Sequence, residues 1–368
     1  MRIIHCADLH LDSKLNTNLE GEKRKLRRAE LNGSFARMID YAKEYGIEAI
    51  IIAGDLFDTA NISVSVRDMV RDAVINSPEI EFFYLKGNHD VENFISGLEE
   101  PPKNLHLFGS DWKSYELRNK VVITGAELDG YNTNTLYDNL VLDVDKLNIV
   151  TLHGQEVGYT SKKRNTAENI DINRLKNKCI DYLALGHIHS YRLKPLDSRG
   201  VYCYSGCVEG RGFDECGDHG FVLLEIDEND NSIEPVFIPF AKRKIYELEV
   251  DVSGADGSLK AVDMISDTLD NMGISPASMV KLILTGNVDV SVELSVSLIT
   301  ERLADRFFYV TTEDRTKTLV DYDEYKNESS LKGEFVRLVY ADESLDENTK
   351  SEIIRCGIRA LSGEEQLI

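Results

Sequence analysis

The sequence predicts an α/β fold in which a sandwich of two sheets is flanked by helices and followed by a small C-terminal α+β domain. Two observations lead to this prediction. Over residues 1–90, apolar runs typical of buried strands alternate with helical patterns, an alternation that produces right-handed crossovers and a largely parallel sheet. After residue 90, short strand-like runs follow one another closely, which indicates a second, more antiparallel sheet packed against the first.

The N-terminal region contains apolar runs that predict strands at Arg2–Cys6, Ala49–Ala53 and Phe82–Leu85. A helix is predicted before the second of these strands, because apolar residues recur there at helical spacing. The residues of this stripe are Leu31, Phe35, Met38, Ile39 and Ala42, and Gly46 follows them where a helix would end. Residues 62–76 repeat the pattern and predict a helix before the third strand.

The later elements are shorter, and the chain leaves the first domain near residues 242–244. Further strands are predicted at 104–108, 121–124, 148–152, 180–185, 201–204, 220–226 and 232–238. We therefore expect one domain at residues 1–242 and a second at residues 243–368. In the second domain, the pattern predicts strands at 245–250, 279–284 and 307–310, helices at 258–272 and 291–305, and terminal helices at 328–340 and 346–362.

Composition places the chain among globular proteins. It has 368 residues, of which 42% are hydrophobic, enough for two domains with real cores. An apolar run of about 18 residues would be needed to span a bilayer, and neither such a run nor a signal-peptide core is seen. The six cysteines are too few for a disulfide scaffold. We therefore expect a cytoplasmic protein that does not cross a membrane.

Charge limits the ways in which the chain would contact nucleic acid. Its net charge of −22 argues against broad, non-specific DNA binding. Residues 251–368 carry 23 acidic and 12 basic side chains, a balance of −11. Basic runs occur at residues 23–28, 162–164 and 242–244. Each is interpreted first as solvated surface, and the runs around Arg24 and Lys163 are the candidate DNA contacts.

Polar motifs follow five of the predicted strands at the point where each strand ends. In chain order they are Asp8-Leu9-His10, Gly54-Asp55, Gly87-Asn88-His89-Asp90, His153-Gly154 and Gly186-His187-Ile188-His189. Side chains two apart on an extended segment point the same way, so His187 and His189 are predicted to aim at one point. A single histidine is usually structural, but five such motifs in succession are typical of a metal site.

The predicted metal ligands are Asp8, His10, Asp55, Asn88, His153, His187 and His189. Imidazole, carboxylate and amide ligands together suit Mn²⁺ or Fe²⁺ better than a thiolate-rich structural zinc site. This set exceeds one coordination shell, so we expect two ions about 4 Å apart that share a carboxylate. Such a pair binds a phosphate ester, and a hydroxide held between the ions attacks phosphorus in line with the leaving oxygen.

Several residues near these motifs have alternative interpretations. His89 can face the phosphate without being a ligand, and there it would protonate the leaving group. Asp58 is expected to orient a histidine ligand. Trp112 is interpreted as packing rather than as a base-stacking side chain. Cys203, Cys207, Cys216 and His219 form a possible zinc set, but their spacing fits no tight zinc pattern.

The order of these motifs resembles the calcineurin-like metallophosphoesterase superfamily. His5, the segment 8–13 and the segment 54–58 resemble SbcD-type DNA repair exonucleases, and most of all their YhaO branch. The resemblance extends through Tyr204-Ser205-Gly206 and Arg211-x-Phe213-x-Glu215-x-Gly217-x-x-Gly220. It implies that Asp8, His10, Asp55 and His189 hold one ion, that Asp55, Asn88, His153 and His187 hold the other, and that His89 is catalytic.

This resemblance implies a two-metal DNA phosphodiesterase of DNA repair, an exonuclease that could also cut as an endonuclease. It further implies a capping role for the second domain, an SbcC-type coiled-coil ATPase partner and two nuclease chains in the assembly. The segment 328–362 is the candidate docking surface, through Leu331, Phe335, Leu338, Ile353, Ile354 and Ile358. The alternative for this segment is a pair of helices that only close the small domain. The alternatives are a phosphomonoesterase or small-nucleotide phosphodiesterase, which the acidic charge favours, and a non-catalytic subunit of a larger assembly.

Overall fold

The computed structural model describes residues 1–15, 19, 21–58, 62–90, 94–95, 98, 100–129, 132–157, 169–289, 292–319 and 328–361. The chain divides into two compact units, Met1–Lys244 and Ile245–Ile368. Across the described ranges, every helix is too short or too polar to cross a bilayer.

The first unit alternates strands and helices before it becomes rich in strands. Its elements are β1 Arg2–Cys6, α1 Gly21–Asn32, α2 Ser34–Glu44, β2 Ala49–Ala53, α3 Val64–Ile75, β3 Glu81–Leu85, β4 Leu105–Leu107, β5 Lys113–Leu117, β6 Val121–Gly125, α4 Thr133–Leu136, β7 Leu147–His153, β8 Gln155–Glu156, β9 Asn169–Ile170, α5 Ile172–Leu175, β10 Tyr182–Gly186, β11 Arg192–Pro195, β12 Val201–Tyr204, β13 Gly220–Asp227 and β14 Ser232–Pro239.

These strands form two six-stranded sheets, ordered β14-β13-β1-β2-β3-β4 and β11-β12-β10-β7-β6-β5. In the first sheet β1 to β4 run parallel, and β13 and β14 add antiparallel strands at one edge. In the second sheet β6, β7, β10 and β12 run parallel, and the edge strands β5 and β11 are antiparallel. The predicted α/β sandwich of two sheets is thereby confirmed.

The predicted membership of the second sheet is wrong in two respects. Strands β4, β13 and β14 belong to the first sheet, and the centre of the second sheet is parallel. The pairing of β13 with β1 joins Ile4 to Leu223, residues far apart in the sequence. Local apolar patterns predict that a strand exists, but they carry no information about which distant strand pairs with it.

Alternate residues of the first sheet face different layers. Ile4, Ile50 and Phe82 belong to a core that includes side chains of α2 and α3. Their neighbours Ile3 and Ile51 instead join a core shared with strands of the second sheet. Fully burying a side chain of this size contributes about 2 kcal/mol. Because successive residues of a strand point to opposite faces, one apolar run serves both layers.

Helix α1 is the main element of this unit that sequence patterns miss. Its twelve residues include few apolar side chains, and a run of basic residues occupies its first half. Arg27 of that run is fully buried. Its guanidinium lies 2.9 Å from Glu209 and 3.1 Å from Glu30, and it donates to Gly210 O at 2.6 Å. The interpretation of residues 23–28 as solvated surface is therefore wrong for Arg27.

The second unit builds a small sheet whose strands alternate with helices along the chain. Its elements are β15 Ile245–Asp251, α6 Ser258–Met272, β16 Met279–Thr285, β17 Asn287–Asp289, α7 Val296–Leu303, β18 Tyr309–Asp314, β19 Lys317–Leu319, and two C-terminal helices, Leu331–Tyr340 and Glu347–Leu361. Strands β15, β16 and β18 are parallel. Helix α7 begins later than predicted, because Ser295 caps it by accepting from Leu298 N.

Candidate metal centre

The polar motifs lie where parallel strands of both sheets end. Asp8 and His10 follow β1, Asp55 follows β2, and Asn88 and His89 follow β3. From the second sheet, His153 is the last residue of β7, and His187 and His189 follow β10. The register of the strands brings these ends together, because β1 pairs with β2, β2 with β3, and β7 with β10 in parallel.

The loops that carry these side chains have unusual backbone conformations. Positive φ angles occur at Asp8 (52°), His10 (45°), Asp55 (51°) and His187 (94°). A residue with a side chain pays about 1–3 kcal/mol for such a conformation, so the surrounding structure must hold it in place. Hydrogen bonds between the loops do so, since Asp8 N donates to Gly54 O at 3.1 Å and His10 N donates to Asp55 O at 3.0 Å.

Asp8, His10 and His189 form the first cluster of potential ligand atoms. These atoms lie within 4.8 Å of one another, and Nε2 of His10 lies 3.1 Å from Nε2 of His189. The Asp8 carboxylate is fixed from the second sheet, since His187 N lies 3.0 Å from both of its oxygens. This cluster therefore joins residues from β1 and β10, which belong to different sheets.

Asp55, His153 and His187 form the second cluster, again with ligand atoms within 4.8 Å of one another. Nε2 of His153 lies 3.4 Å from Asp55 Oδ2. Asn88 completes the group, because its Oδ1 lies 3.1 Å from His153 Nε2 and 3.2 Å from His187 Nδ1. Asp55 Oδ2 is also 3.8 Å from His10 Nε2, so this carboxylate lies between the two clusters.

The hydrogen bonds of the His189 and His153 imidazoles indicate whether the two clusters can hold a cation. Nδ1 of His189 lies 2.7 Å from Glu215 Oε1, and Nδ1 of His153 lies 2.8 Å from Ala53 O. These oxygens accept, so each ring carries a proton on Nδ1 and turns Nε2 toward its cluster. With no proton on Nε2, its lone pair and the carboxylate oxygens would converge and repel one another, and a divalent cation would relieve that repulsion. The donor set therefore fits metal ions.

Protonation of the metal-free centre follows the same electrostatics. Burial opposes protonation of His153, but the charge of Asp55 overcomes it and raises the pKa of His153 to about 9. Burial raises the pKa of Asp55, but His153 and His10 together lower this pKa by more than burial raises it. The net shift of the Asp55 pKa is therefore downward. Burial and the neighbouring His153 lower the pKa of His187 to about 4. A proton on His153 thus occupies the place that a cation would take.

Asp90 is a functional residue that sequence reasoning missed. Its buried carboxylate accepts hydrogen bonds from Leu56 N at 3.1 Å, Phe57 N at 2.9 Å and Gly87 N at 3.0 Å. It therefore ties the loop that carries Asp55 to the loop that carries Asn88. The position of Asp90 at the end of the Gly-Asn-His-Asp motif could have predicted this role. An aspartate there readily accepts a hydrogen bond from the backbone amide three residues earlier.

Glycines allow the two loops to approach the ligands closely. A Cβ atom on Gly54 would lie 2.2 Å from His153 Nδ1, and one on Gly87 would lie 2.1 Å from Asp55 Oδ1. Real Cβ atoms do not come so near to other atoms, so any larger residue at either position would displace a ligand.

His89 lies at the rim of the centre and is exposed. Its backbone N–H donates to Asp55 Oδ1 at 2.9 Å, and its Nδ1 lies 3.1 Å from Asp58 O. His89, His10 and Asp58 form a third group of neighbouring ligand atoms. Asp58 Oδ1 lies 3.1 Å from His10 Nδ1. The other ring nitrogen of His10, Nε2, faces His189.

The other predicted features near the centre are structural. The indole of Trp112 donates to Leu136 O at 2.7 Å and packs on the second sheet, so its interpretation as packing is confirmed. Cys207 lies 3.2 Å from His219, but Cys216 is exposed. The described cysteines join no metal-binding group. The run at residues 162–164 lies outside the described ranges.

A cleft of about 200 Å³ opens beside the second cluster. Asn88 and His153 form part of its wall, together with Lys86, Glu127 and Leu128. Glu127 is anchored there, because its carboxylate accepts from Lys86 N at 3.1 Å. The cleft therefore lies directly against two of the predicted ligands, Asn88 and His153.

Comparison with known proteins places this arrangement in a family. Residues 1–209 match the model of the calcineurin-like phosphoesterase family. An uncharacterized metallophosphoesterase, YhaO of Bacillus subtilis, is 28% identical over 305 residues, which cover 78% of this chain and 72% of that protein.

Two further relatives are similar, one named for DNA double-strand break repair and one named as a nuclease subunit. The DNA double-strand break repair protein Mre11 of Methanococcus maripaludis is 27% identical over 260 residues, which cover 64% of this chain and 66% of the relative. The SbcD component of the nuclease SbcCD of Escherichia coli K12 is 26% identical over 288 residues, which cover 65% of this chain and 68% of the relative.

Among solved structures, a dimetal phosphatase from Danio rerio aligns with a TM-score of 0.40 and 12% identity, and the alignment covers 62% of this chain and 93% of that one.

The family match over more than half of the chain, from β1 to the residues after β12, confirms the resemblance that the strand-end motifs indicate. The chain belongs to the calcineurin-like phosphoesterase family.

Proposed function

We propose that this metallophosphoesterase is a two-metal DNA phosphodiesterase of DNA repair. The observation that carries the proposal is the pair of ligand clusters with Asp55 between them, 3.4 Å from His153 and 3.8 Å from His10. The names of the similar Mre11 and SbcCD proteins, which refer to DNA double-strand break repair and to a nuclease, support DNA as the substrate.

In this proposal Asp8, His10 and His189 hold one ion, Asn88, His153 and His187 hold the other, and Asp55 is shared by both. The mixture of nitrogen and oxygen ligands favours Mn²⁺, with Fe²⁺ as the alternative. Such ions bind phosphate oxygens and lower the pKa of a water molecule, which supplies the nucleophile.

The protein itself contributes rigid positioning and a proton donor. The backbone N–H of His89 holds its loop against Asp55, and Nδ1 of the ring contacts Asp58 O. In its doubly protonated form the ring would donate from Nδ1 to Asp58 O and transfer the Nε2 proton to the leaving oxygen of the substrate, which would leave a neutral imidazole. Asp90 keeps the loops of Asp55 and Asn88 in register, so that the ligands are placed before substrate binds.

An assay with three substrates tests the function directly. The purified chain with Mn²⁺ is incubated with linear double-stranded DNA, single-stranded DNA and a small chromogenic phosphodiester. We expect cleavage of DNA that a chelator abolishes and Mn²⁺ restores. Cleavage of the small diester with no cleavage of either DNA would overturn the proposal in favour of a small-nucleotide phosphodiesterase, which is part of the alternative that the net charge of −22 favours.

We further propose that the second unit binds an SbcC-type ATPase, with two nuclease chains in the assembly. Leu331 and Leu338 support this, because they lie two turns apart on the first C-terminal helix and are 70% and 65% exposed. The expected contribution of Ile354 and Ile358 is wrong. Both are buried in the cluster that joins the two C-terminal helices, so their apolar stripe closes the helix pair.

A further inference from the structure

The cleft beside the second cluster presents three kinds of surface in one place. Lys86 supplies a cation, Glu127 a carboxylate and Leu128 an apolar side chain, and the proposed metal ligands Asn88 and His153 also line it. Its volume is about 200 Å³. One water molecule takes about 30 Å³, and pockets for drug-sized ligands begin at about 300 Å³. The cleft therefore has room for one sugar or one base, but not for a longer piece of nucleic acid.

Glu127 is held in place at its backbone and at its side chain. Its N–H donates to Gly109 O at 2.7 Å, its carbonyl accepts from Asn132 Nδ2 at 2.8 Å, and its Oε1 accepts from Lys86 N at 3.1 Å. Burial raises the pKa of Glu127, and the N–H and the charge of Lys86 offset this only in part. An ionised carboxylate accepts hydrogen bonds and donates none. A further O–H or N–H donor in the cleft would therefore stabilise Glu127.

Lys86 is the first residue after β3, on the segment that leads to Asn88. Its ammonium makes no ion pair with a carboxylate in the described ranges. The metal centre beside it is rich in carboxylates, and the chain has a net charge of −22. A cation at this position would attract an anionic ester that the rest of the surface repels.

A nucleotide offers a partner for each of the three surfaces. Its phosphate is anionic, its sugar hydroxyls and base N–H groups are donors, and its base has an apolar face. Leu128 packs on the core of the second sheet and would present a fixed apolar wall to that face. A phosphate ester without a nucleoside could use the charge of Lys86, but it would leave Glu127 and Leu128 without partners.

We propose that this cleft recognises the nucleoside attached to the scissile phosphate. Glu127 accepts a hydrogen bond from the sugar or the base, and Lys86 attracts the phosphate of any ester. The inference rests on the proposed cleavage of phosphodiesters at the metal centre and adds the residue that selects the substrate. It does not require that the substrate be DNA, because a small dinucleotide carries the same nucleoside.

Chromogenic diesters test this recognition with the Mn²⁺-loaded protein. The p-nitrophenyl esters of thymidine 5′-monophosphate and thymidine 3′-monophosphate carry a nucleoside, whereas bis(p-nitrophenyl) phosphate carries none. A hydrogen bond to a charged group is worth about 10-fold to 100-fold in affinity. We therefore expect kcat/KM for one of the thymidine esters to exceed that of the simple ester by at least about 10-fold. An abasic ester, which keeps the sugar hydroxyl, shows whether Glu127 takes its donor from the sugar or from the base.

Two variants should give different signatures. Glu127→Gln keeps an acceptor for Lys86 N but loses its charge, so it should lower the preference for the thymidine ester about 10-fold by raising KM for that ester. Lys86→Met keeps the backbone N–H that holds Glu127, and it should raise KM for all the esters alike. Glu81→Gln is the matched control, because Glu81 is the first residue of β3, at the opposite end of the strand, and pairs with His106.

Calorimetry supplies a readout that needs no turnover. Thymidine monophosphate should bind the Mn²⁺-loaded wild type at least about 10-fold more tightly than inorganic phosphate, and Glu127→Gln should reduce this difference. Equal affinities of the wild type for the two ligands would overturn the inference, whether or not the variants fold. An unchanged preference in folded Glu127→Gln would overturn it as well.

Failure of the proposed function is a distinct outcome. A chain that prefers the thymidine ester through Glu127 but leaves DNA intact would support the cleft and contradict DNA as the substrate. A chain that cleaves DNA but treats all the chromogenic esters alike would do the reverse.

Discussion

His89 is exposed at the rim of the two ligand clusters, and its backbone amide, rather than its ring, contacts Asp55. We predict that His89→Ala lowers kcat by about 100-fold and leaves Mn²⁺ binding unchanged, because the ring donates a proton but holds neither proposed ion. Single-turnover cleavage of DNA measures the rate, and metal analysis measures the two ions. His106→Ala is the control, since His106 pairs with Glu81 on the first sheet. A variant with the wild-type rate would show that the leaving group is protonated elsewhere.

Glu30 joins α1 to the end of the first unit, because it pairs with Arg27 at 3.1 Å and with Arg243 at 2.6 Å. Burial raises the pKa of Glu30, but these two arginines lower it more, so the net pKa lies below its usual value. A carboxylate with a lowered pKa stabilises the fold above its unfolded pKa, and this contribution is lost as the pH falls through the folded pKa.

We therefore predict that Glu30→Gln lowers the free energy of unfolding by about 2 kcal/mol at pH 7. The difference from wild type should begin to shrink below about pH 4.5, where the unfolded chain takes up the proton, and should vanish below the lowered folded pKa, where the folded carboxyl is neutral too. Urea unfolding at a series of pH values measures it. A difference that stays constant down to acid pH would mean that the ion pairs contribute nothing.

At the level of helices and strands, the sequence predicts the part of the structure that depends on local pattern. The apolar runs of β1, β2, β3, β7 and β10 and the polar residues after them all lie where the pattern places them. Helix α1 is missed because its contacts with the fold include the buried Arg27, whose partner Glu209 lies far along the chain and is invisible to a local pattern. Arg211 and Glu215 have a visible i to i+4 spacing, but their histidine partners become apparent only in three dimensions.

The first C-terminal helix carries the prediction about a partner. Replacing Leu331 and Leu338 by aspartate should weaken association with an SbcC-type ATPase at least about tenfold, because burying two charges in an apolar contact is unfavourable. Cleavage of a small phosphodiester should not change. Leu259→Asp is the matched control, since Leu259 is 61% exposed on α6.

Removal of residues 328–368 should abolish the same association while sparing Mn²⁺-dependent cleavage of the small ester. A truncated chain that is folded and still binds the ATPase at full strength would place the docking surface elsewhere.

For the molecule as a whole, the net charge of −22 means that the proposed DNA substrate would have to contact local basic segments. Changing Lys162, Lys163 and Arg164 to glutamate should weaken DNA binding and reduce its salt dependence. The slope of the logarithm of the binding constant against the logarithm of the salt concentration should fall in magnitude by about 2 to 3. Hydrolysis of a small phosphodiester should be preserved. Lys260→Glu, an exposed change in the acidic second unit, is the control. Unchanged DNA affinity would favour the small-substrate alternative.

The shared position of Asp55 between both ligand clusters is the central claim about this protein, and counting metal ions per chain tests it most directly. Wild-type protein and Asp55→Ala are loaded with Mn²⁺, freed of excess metal by gel filtration and analysed by elemental mass spectrometry. We predict two ions in the wild type and loss of both in Asp55→Ala, because this carboxylate lies 3.4 Å from His153 and 3.8 Å from His10. One ion in the wild type, or two ions retained by Asp55→Ala, would contradict the claim.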